Sequence, residues 1–252
     1  MGIPIQRILE KMDTLLARKE TEAAERHLDY WIAEAEQTGD HSGKLTLLNE
    51  RIGFYRKQGR GGEAIAAAQQ SLQLAESLGL AQTVTMGTTL VNAATAYKAF
   101  GDAGAALPLY ERARTIYEAK LPAGDARLGG LYNNMALTMT ELGDYGRAED
   151  LFRAALGVME QMRGGEADMA ITYCNLADLA SAQLGAEAGE EQITADLERA
   201  IALLDSKMLP RDGYYAFVCE KCAPTFAHYG FFYYEQVLSA RAEEITAQLR
   251  AD

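Results

Sequence analysis

In the repeated segments of this chain, apolar residues fall on one face of a helix. Tyr110 is followed by Ala113, and Phe152 by Ala155 and Leu156, spacings of three and four residues that align side chains in a single stripe. The first nineteen residues are amphipathic in the same way. Glycine interrupts this pattern on a regular beat. Tyr55-Arg-Lys-Gln-Gly59-Arg-Gly-Gly-Glu-Ala64 is answered by Tyr97-Lys-Ala-Phe-Gly101-Asp-Ala-Gly-Ala-Ala106 and by Met139-Thr-Glu-Leu-Gly143-Asp-Tyr-Gly-Arg-Ala148. Gly59, Gly101, Gly143 and Gly185 stand 42 residues apart, and Gly230 follows after 45. The three extra residues have a home in the glycine- and glutamate-rich stretch 186–191. Counting back 42 from Gly59 reaches Ala17. The pattern predicts six helical hairpins, with the outer two degraded.

Each unit has a local logic. A helix ends at the glycine, which takes the left-handed cap conformation at little cost. A second helix begins near the alanine five residues on, and that alanine (Ala64, Ala106, Ala148) is small because two helices cross there. No unit buries its apolar face alone, so neighbours stack into one core. The prediction is an all-α chain forming a single domain over 1–252. It divides into a degenerate first hairpin over 1–40, core repeats over 41–207, and an aromatic-rich capping hairpin over 208–252.

These residues resemble the tetratricopeptide (TPR) family, most closely in the run from Tyr132-Asn-Asn-Met-Ala through Leu142-Gly143-Asp-Tyr-Gly-Arg-Ala148 to Phe152-Arg-Ala-Ala155-Leu. The 42-residue period is similar to the kinesin light chain subtype, found in many bacterial proteins. The resemblance implies a right-handed α-α superhelix whose first helices line a concave face. It also implies binding of an extended peptide or protein segment there, without catalysis.

One polar residue recurs on the first helix of the hairpins: Asn49, Asn92, Asn134 and Asn175, at intervals of 43, 42 and 41. Asparagine is a poor helix former, so its recurrence needs a reason. An amide offers a donor and an acceptor and so matches a peptide group whatever its side chain. The resemblance places Asn92 and Asn134, nine residues before their glycines, in the groove, with Asn49 and Asn175 one residue off that register. The other reading is that these amides bridge adjacent helices of the stack. Arg56 and Lys98, three residues before their glycines, fall on the same side and would favour an acidic segment or a free C-terminal carboxylate. Solvated surface charge is the competing account of both.

Composition narrows the partners. Twenty-four Lys and Arg oppose 36 Asp and Glu, for a net charge of −12, which disfavours nucleic acid and anionic membranes. No apolar run approaches the roughly 20 residues of a membrane span, and the N-terminus lacks the form of a secretory signal. Three cysteines do not make a disulfide framework, so a reduced, cytoplasmic protein is expected.

Nine of the aromatic residues lie between Tyr214 and Tyr234. They read either as a bulky cap on the last hairpin or as a self-association surface that would make a homodimer. Cys219 and Cys222 suggest a metal or redox site, but only His228 is near and a structural zinc needs four ligands. Both fall at apolar slots of the repeat, as does Cys174, and are expected to be buried. Pro224 is expected to kink its helix. No catalytic motif, metal set or cofactor site is recognisable. The expected function is a non-enzymatic interaction module; the alternatives are a self-associating scaffold and a sensor of a small peptide signal.

Overall fold

The computed structural model describes residues 2–251. Among these residues it forms twelve α-helices and no strand. Six hairpins follow in order: α1 (Ile5–Ala17) with α2 (Thr21–Gln37), α3 (His41–Lys57) with α4 (Gly61–Ser77), and α5 (Val84–Ala99) with α6 (Ala103–Lys120). They continue as α7 (Ala126–Glu141) with α8 (Tyr145–Met159), α9 (Glu166–Leu184) with α10 (Glu190–Leu204), and α11 (Gly213–His228) with α12 (Phe232–Ala251). The chain divides into two compact units, Met1–Lys120 and Leu121–Asp252. Each holds three hairpins.

The predicted punctuation is present. Gly59, Gly101, Gly143, Gly185 and Gly230 all take positive φ, between 70° and 82°. In two hairpins the next residue is an aspartate that caps the following helix. Asp102 accepts from the Ala105 N–H at 2.9 Å and Asp144 from the Arg147 N–H at 3.3 Å. Gly185 leads instead into a longer connection, and α10 begins only at Glu190, so the extra residues sit where expected. The first hairpin departs from the count. Its turn residue is Lys19, at φ 61°, because α1 runs on to Ala17 before it breaks.

Packing follows the small–large alternation of the repeat. Ala64, Ala106 and Ala148 have no exposed surface, and neither do Tyr110 and Phe152 on the helices they begin. The Tyr110 hydroxyl shares a hydrogen bond of 3.0 Å with Thr95 on α5, and burial pushes its pKa up to about 12. Helix packing is tight at Gly87, where a Cβ would lie 2.4 Å from the Tyr117 ring. In the second unit a core of Leu197, Tyr215, Cys219 and Phe226 joins α9 to α12.

The C-terminal aromatics divide into two groups. Tyr215 and Phe226 are buried, with Phe231 and Tyr234 packed edge-on against Phe226. Tyr214, Phe217, Phe232 and Tyr233 are 45–72% exposed. All three cysteines are buried and unbridged, as their slots predict, and α11 runs unbroken through Pro224 from Gly213 to His228.

Candidate functional site

The recurrent asparagines lie on the first helices α3, α5, α7 and α9, each half-buried. Their amides are used unequally. Asn49 donates to the Leu45 carbonyl at 3.0 Å and to the Thr89 hydroxyl at 3.1 Å, and its Oδ1 accepts from Asn92 at 3.0 Å. The pair thus ties α3 to α5. In the second unit Asn175 donates to Asn133 Oδ1 at 3.1 Å, and the Thr172 hydroxyl reaches the same oxygen at 3.3 Å. This pair ties α7 to α9. Three of the four predicted residues therefore bridge neighbouring helices.

Asn133 was not among the predicted residues. It stands ten residues before its glycine, the position Asn49 and Asn175 occupy, and 42 residues before Asn175. That constant spacing was the available signal. In the third hairpin the same position is Val91, and Asn92, one residue later, makes the bridge instead.

Asparagine side chains on these helices keep hydrogen-bonding capacity. Asn92 Oδ1 and Asn175 Oδ1 accept no hydrogen bond among the described residues, and neither is sealed from solvent. The Asn134 side chain makes none at all among them. An amide that ends with a free donor and a free acceptor can pair with one peptide group on both sides.

Arg56 and Lys98 are half-buried in the last turns of α3 and α5, where a cation complements the exposed carbonyls of a helix end. The Arg56 guanidinium also tempers the upward push that burial gives the Tyr110 hydroxyl. Among the described residues no group of three or more His, Cys, Asp or Glu is arranged to hold a metal. No helix among them is long and apolar enough to cross a membrane.

Two models of the tetratricopeptide repeat match the chain, over residues 43–119 and 129–166. No curated protein matches it significantly. Among solved structures, the chain is similar to the nearly identical TPR-like repeats of a Podosopora anserina kinesin light chain. The TM-score is 0.57 at 17% identity, over 83% of this chain and 98% of that one. It is also similar to BtubC from P. vanneervenii, with a TM-score of 0.53 at 17% identity over 100% and 94% of the two chains. NprR, solved in complex with its cognate peptide NprX, gives 0.62 at 16% identity over 98% of this chain and 68% of that chain. At such identities the likeness concerns the fold alone.

Proposed function

We propose that this chain, which carries tetratricopeptide repeats over residues 43–119 and 129–166, is a non-enzymatic module that holds an extended peptide or protein segment against first helices of its hairpins. The observation that carries the reading is the unspent amide of Asn134, on the helix that also presents Asn133 to Asn175. Asn175 adds an acceptor in the same unit; in the first unit, taken by itself, Asn92 offers an acceptor while Asn49 is committed to the stack. Arg56 and Lys98 would favour an acidic residue or a free C-terminal carboxylate in a segment held on the first unit. The complex of NprR with NprX supports the same use of a similar fold, and a short peptide signal is one form the ligand can take. Three buried, unpaired thiols support a reducing, cytoplasmic setting.

The test compares wild type with Asn134→Ala in affinity capture from lysate, after thermal melts confirm that both are folded. A protein retained by wild type and lost from Asn134→Ala supports the reading. Equal retention by both variants overturns it.

A second reading has its own observation. Four aromatic side chains of the last hairpin stay exposed beyond what its core uses, and they favour self-association through that hairpin. A molecular mass that stays monomeric in light scattering at high micromolar concentration removes this reading. A dimer lost on Phe217→Ser, Tyr233→Ser substitution establishes it.

A further inference from the structure

We propose that the cleft between α8, α9 and α10 is a second binding site, and that it takes a basic polypeptide segment anchored by an apolar residue. The cleft has a volume of about 500 Å³, within the ordinary range of ligand sites. Its floor is one stripe of α9, Tyr173, Leu176, Ala180 and Leu184, at helical spacing. At about 100° per residue that stripe faces away from Asn175, so this surface is distinct from the amide-bearing one. Leu184 at its mouth is 52% exposed, an apolar side chain left to water.

The wall supplies the chemistry. Asp196 on α10 lines the cleft, yet its side chain is almost wholly removed from solvent, with 2% of the residue exposed. Gln192 donates to its Oδ2 at 2.8 Å; its Oδ1 accepts nothing among the described residues and is not sealed from the cleft. Burial pushes this carboxyl above the usual carboxylate range, so a cation set against it would recover a cost the empty site carries. Arg199 and Arg153 temper that push through space, but neither hydrogen-bonds the carboxyl among the described residues. Arg153 is spent on Glu149, at 2.5 and 3.2 Å. Arg199 lies over the Tyr173 ring at 5.6 Å and makes no contact ion pair among the described residues.

Charge selects the occupant. Residues 1–120 carry 14 Lys and Arg against 15 Asp and Glu, a net −1, whereas residues 121–252 carry 10 against 21, a net −11. Nearly all the chain's net negative charge lies in the unit that holds the cleft, and exposed Glu190, Glu191 and Glu198 add to it along α10. Such a field draws a cationic segment and repels an acidic one. In the complex a Lys or Arg side chain donates to Asp196 Oδ1, and an adjacent apolar residue lies on Leu176 and Leu184. A main-chain carbonyl accepts from Arg199.

The test titrates the full chain into a fluorescein-labelled peptide of alternating leucine and lysine with both ends blocked, and into its leucine–glutamate counterpart, by fluorescence anisotropy at 0.1 M salt. The lysine peptide is expected to bind and the glutamate peptide not to. Asp196→Asn keeps the shape and the Gln192 contact, and should weaken binding roughly tenfold or more, as loss of a charge-assisted hydrogen bond does. Leu184→Gln, at the exposed mouth, should weaken it severalfold. Glu243→Gln removes the same charge from exposed α12 and should change it less than about twofold, as a distant screened charge does. Failure of the lysine peptide to bind wild type overturns the proposal. So does equal weakening by Asp196→Asn and Glu243→Gln, which would mark general attraction to an acidic surface. Loss of the peptide on Asn134→Ala would move it to the other face and also overturn the proposal.

Discussion

Asn92 hands a side-chain N–H to Asn49 Oδ1 at 3.0 Å, across 43 residues of sequence. The bond is one link of a short relay, because Asn49 passes its own amide hydrogens to Leu45 and Thr89. Half-buried amides joined in this way couple two hairpins through side chains as well as through apolar contact. Asn92→Ala should cost about 1 kcal/mol in urea denaturation. Asn49→Ala should cost more, since it leaves Thr89 and Asn92 short of a partner. The double variant should cost less than the sum of the two. Additive losses would mean that the pair carries no coupling.

Gly87 and Gly129 occupy the same slot of successive first helices, 42 residues apart, and predict opposite outcomes. A Cβ at Gly87 would lie 2.4 Å from Tyr117, whereas at Gly129 its nearest contacts are at 3.5 Å, on Met159 and Val158. Gly87→Ala should destabilise by about 1–3 kcal/mol, as overpacking does. Gly129→Ala should stabilise by up to about 1 kcal/mol through helix propensity. Thermal melts of the two variants read both signs directly.

Left-handed backbone gives another matched pair. Lys19 turns the first hairpin at φ 61°, where Gly143 turns the fourth at φ 79° with open space around its α-carbon. Lys19→Gly should raise stability, and Gly143→Ala should lower it by about 1–2 kcal/mol, the cost of a Cβ in that region. Denaturant midpoints moving the same way in both variants would refute this account.

Asp125 supplies a dependence on acid. It accepts from the Arg127 backbone N–H at 3.0 Å and from the Arg127 guanidinium at 2.7 and 2.8 Å. The guanidinium first, and the backbone N–H with it, holds the carboxyl at about 2, below its ordinary 3.8. Because the folded value is the lower one, the contribution is complete above about pH 4 and is lost as the pH falls from there towards 2. Wild type should therefore lose its advantage over Asp125→Asn across that window, with no change in the difference between pH 6 and 8.

The glycine beat was legible in the sequence because backbone conformation at those positions admits few alternatives. Counting from glycine to glycine places all six hairpins. It misplaces one turn by two residues, since Lys19 adopts a conformation its side chain gives no sign of. Asn49, Asn92, Asn134 and Asn175 were legible as a set but not their pairing. Asn133, outside that set, sits beside Asn134, and only side-chain direction separates the one that bridges from the one that does not. The cleft around Asp196 was not legible at all. Its wall draws on three helices, and a lone aspartate among the many acids of α10 carries no mark of burial until those helices are packed.

Among the described residues, extensive contacts join helices one or two places apart along the chain. A stretch of gene running from one glycine codon to the next therefore encodes one helical hairpin's worth of packing. Within a unit, unequal recombination between such stretches would add or remove a layer that packs as its neighbours do. Proteins of this construction can change the length of their binding surface in steps of one hairpin, and the partner they hold can lengthen or shorten with them.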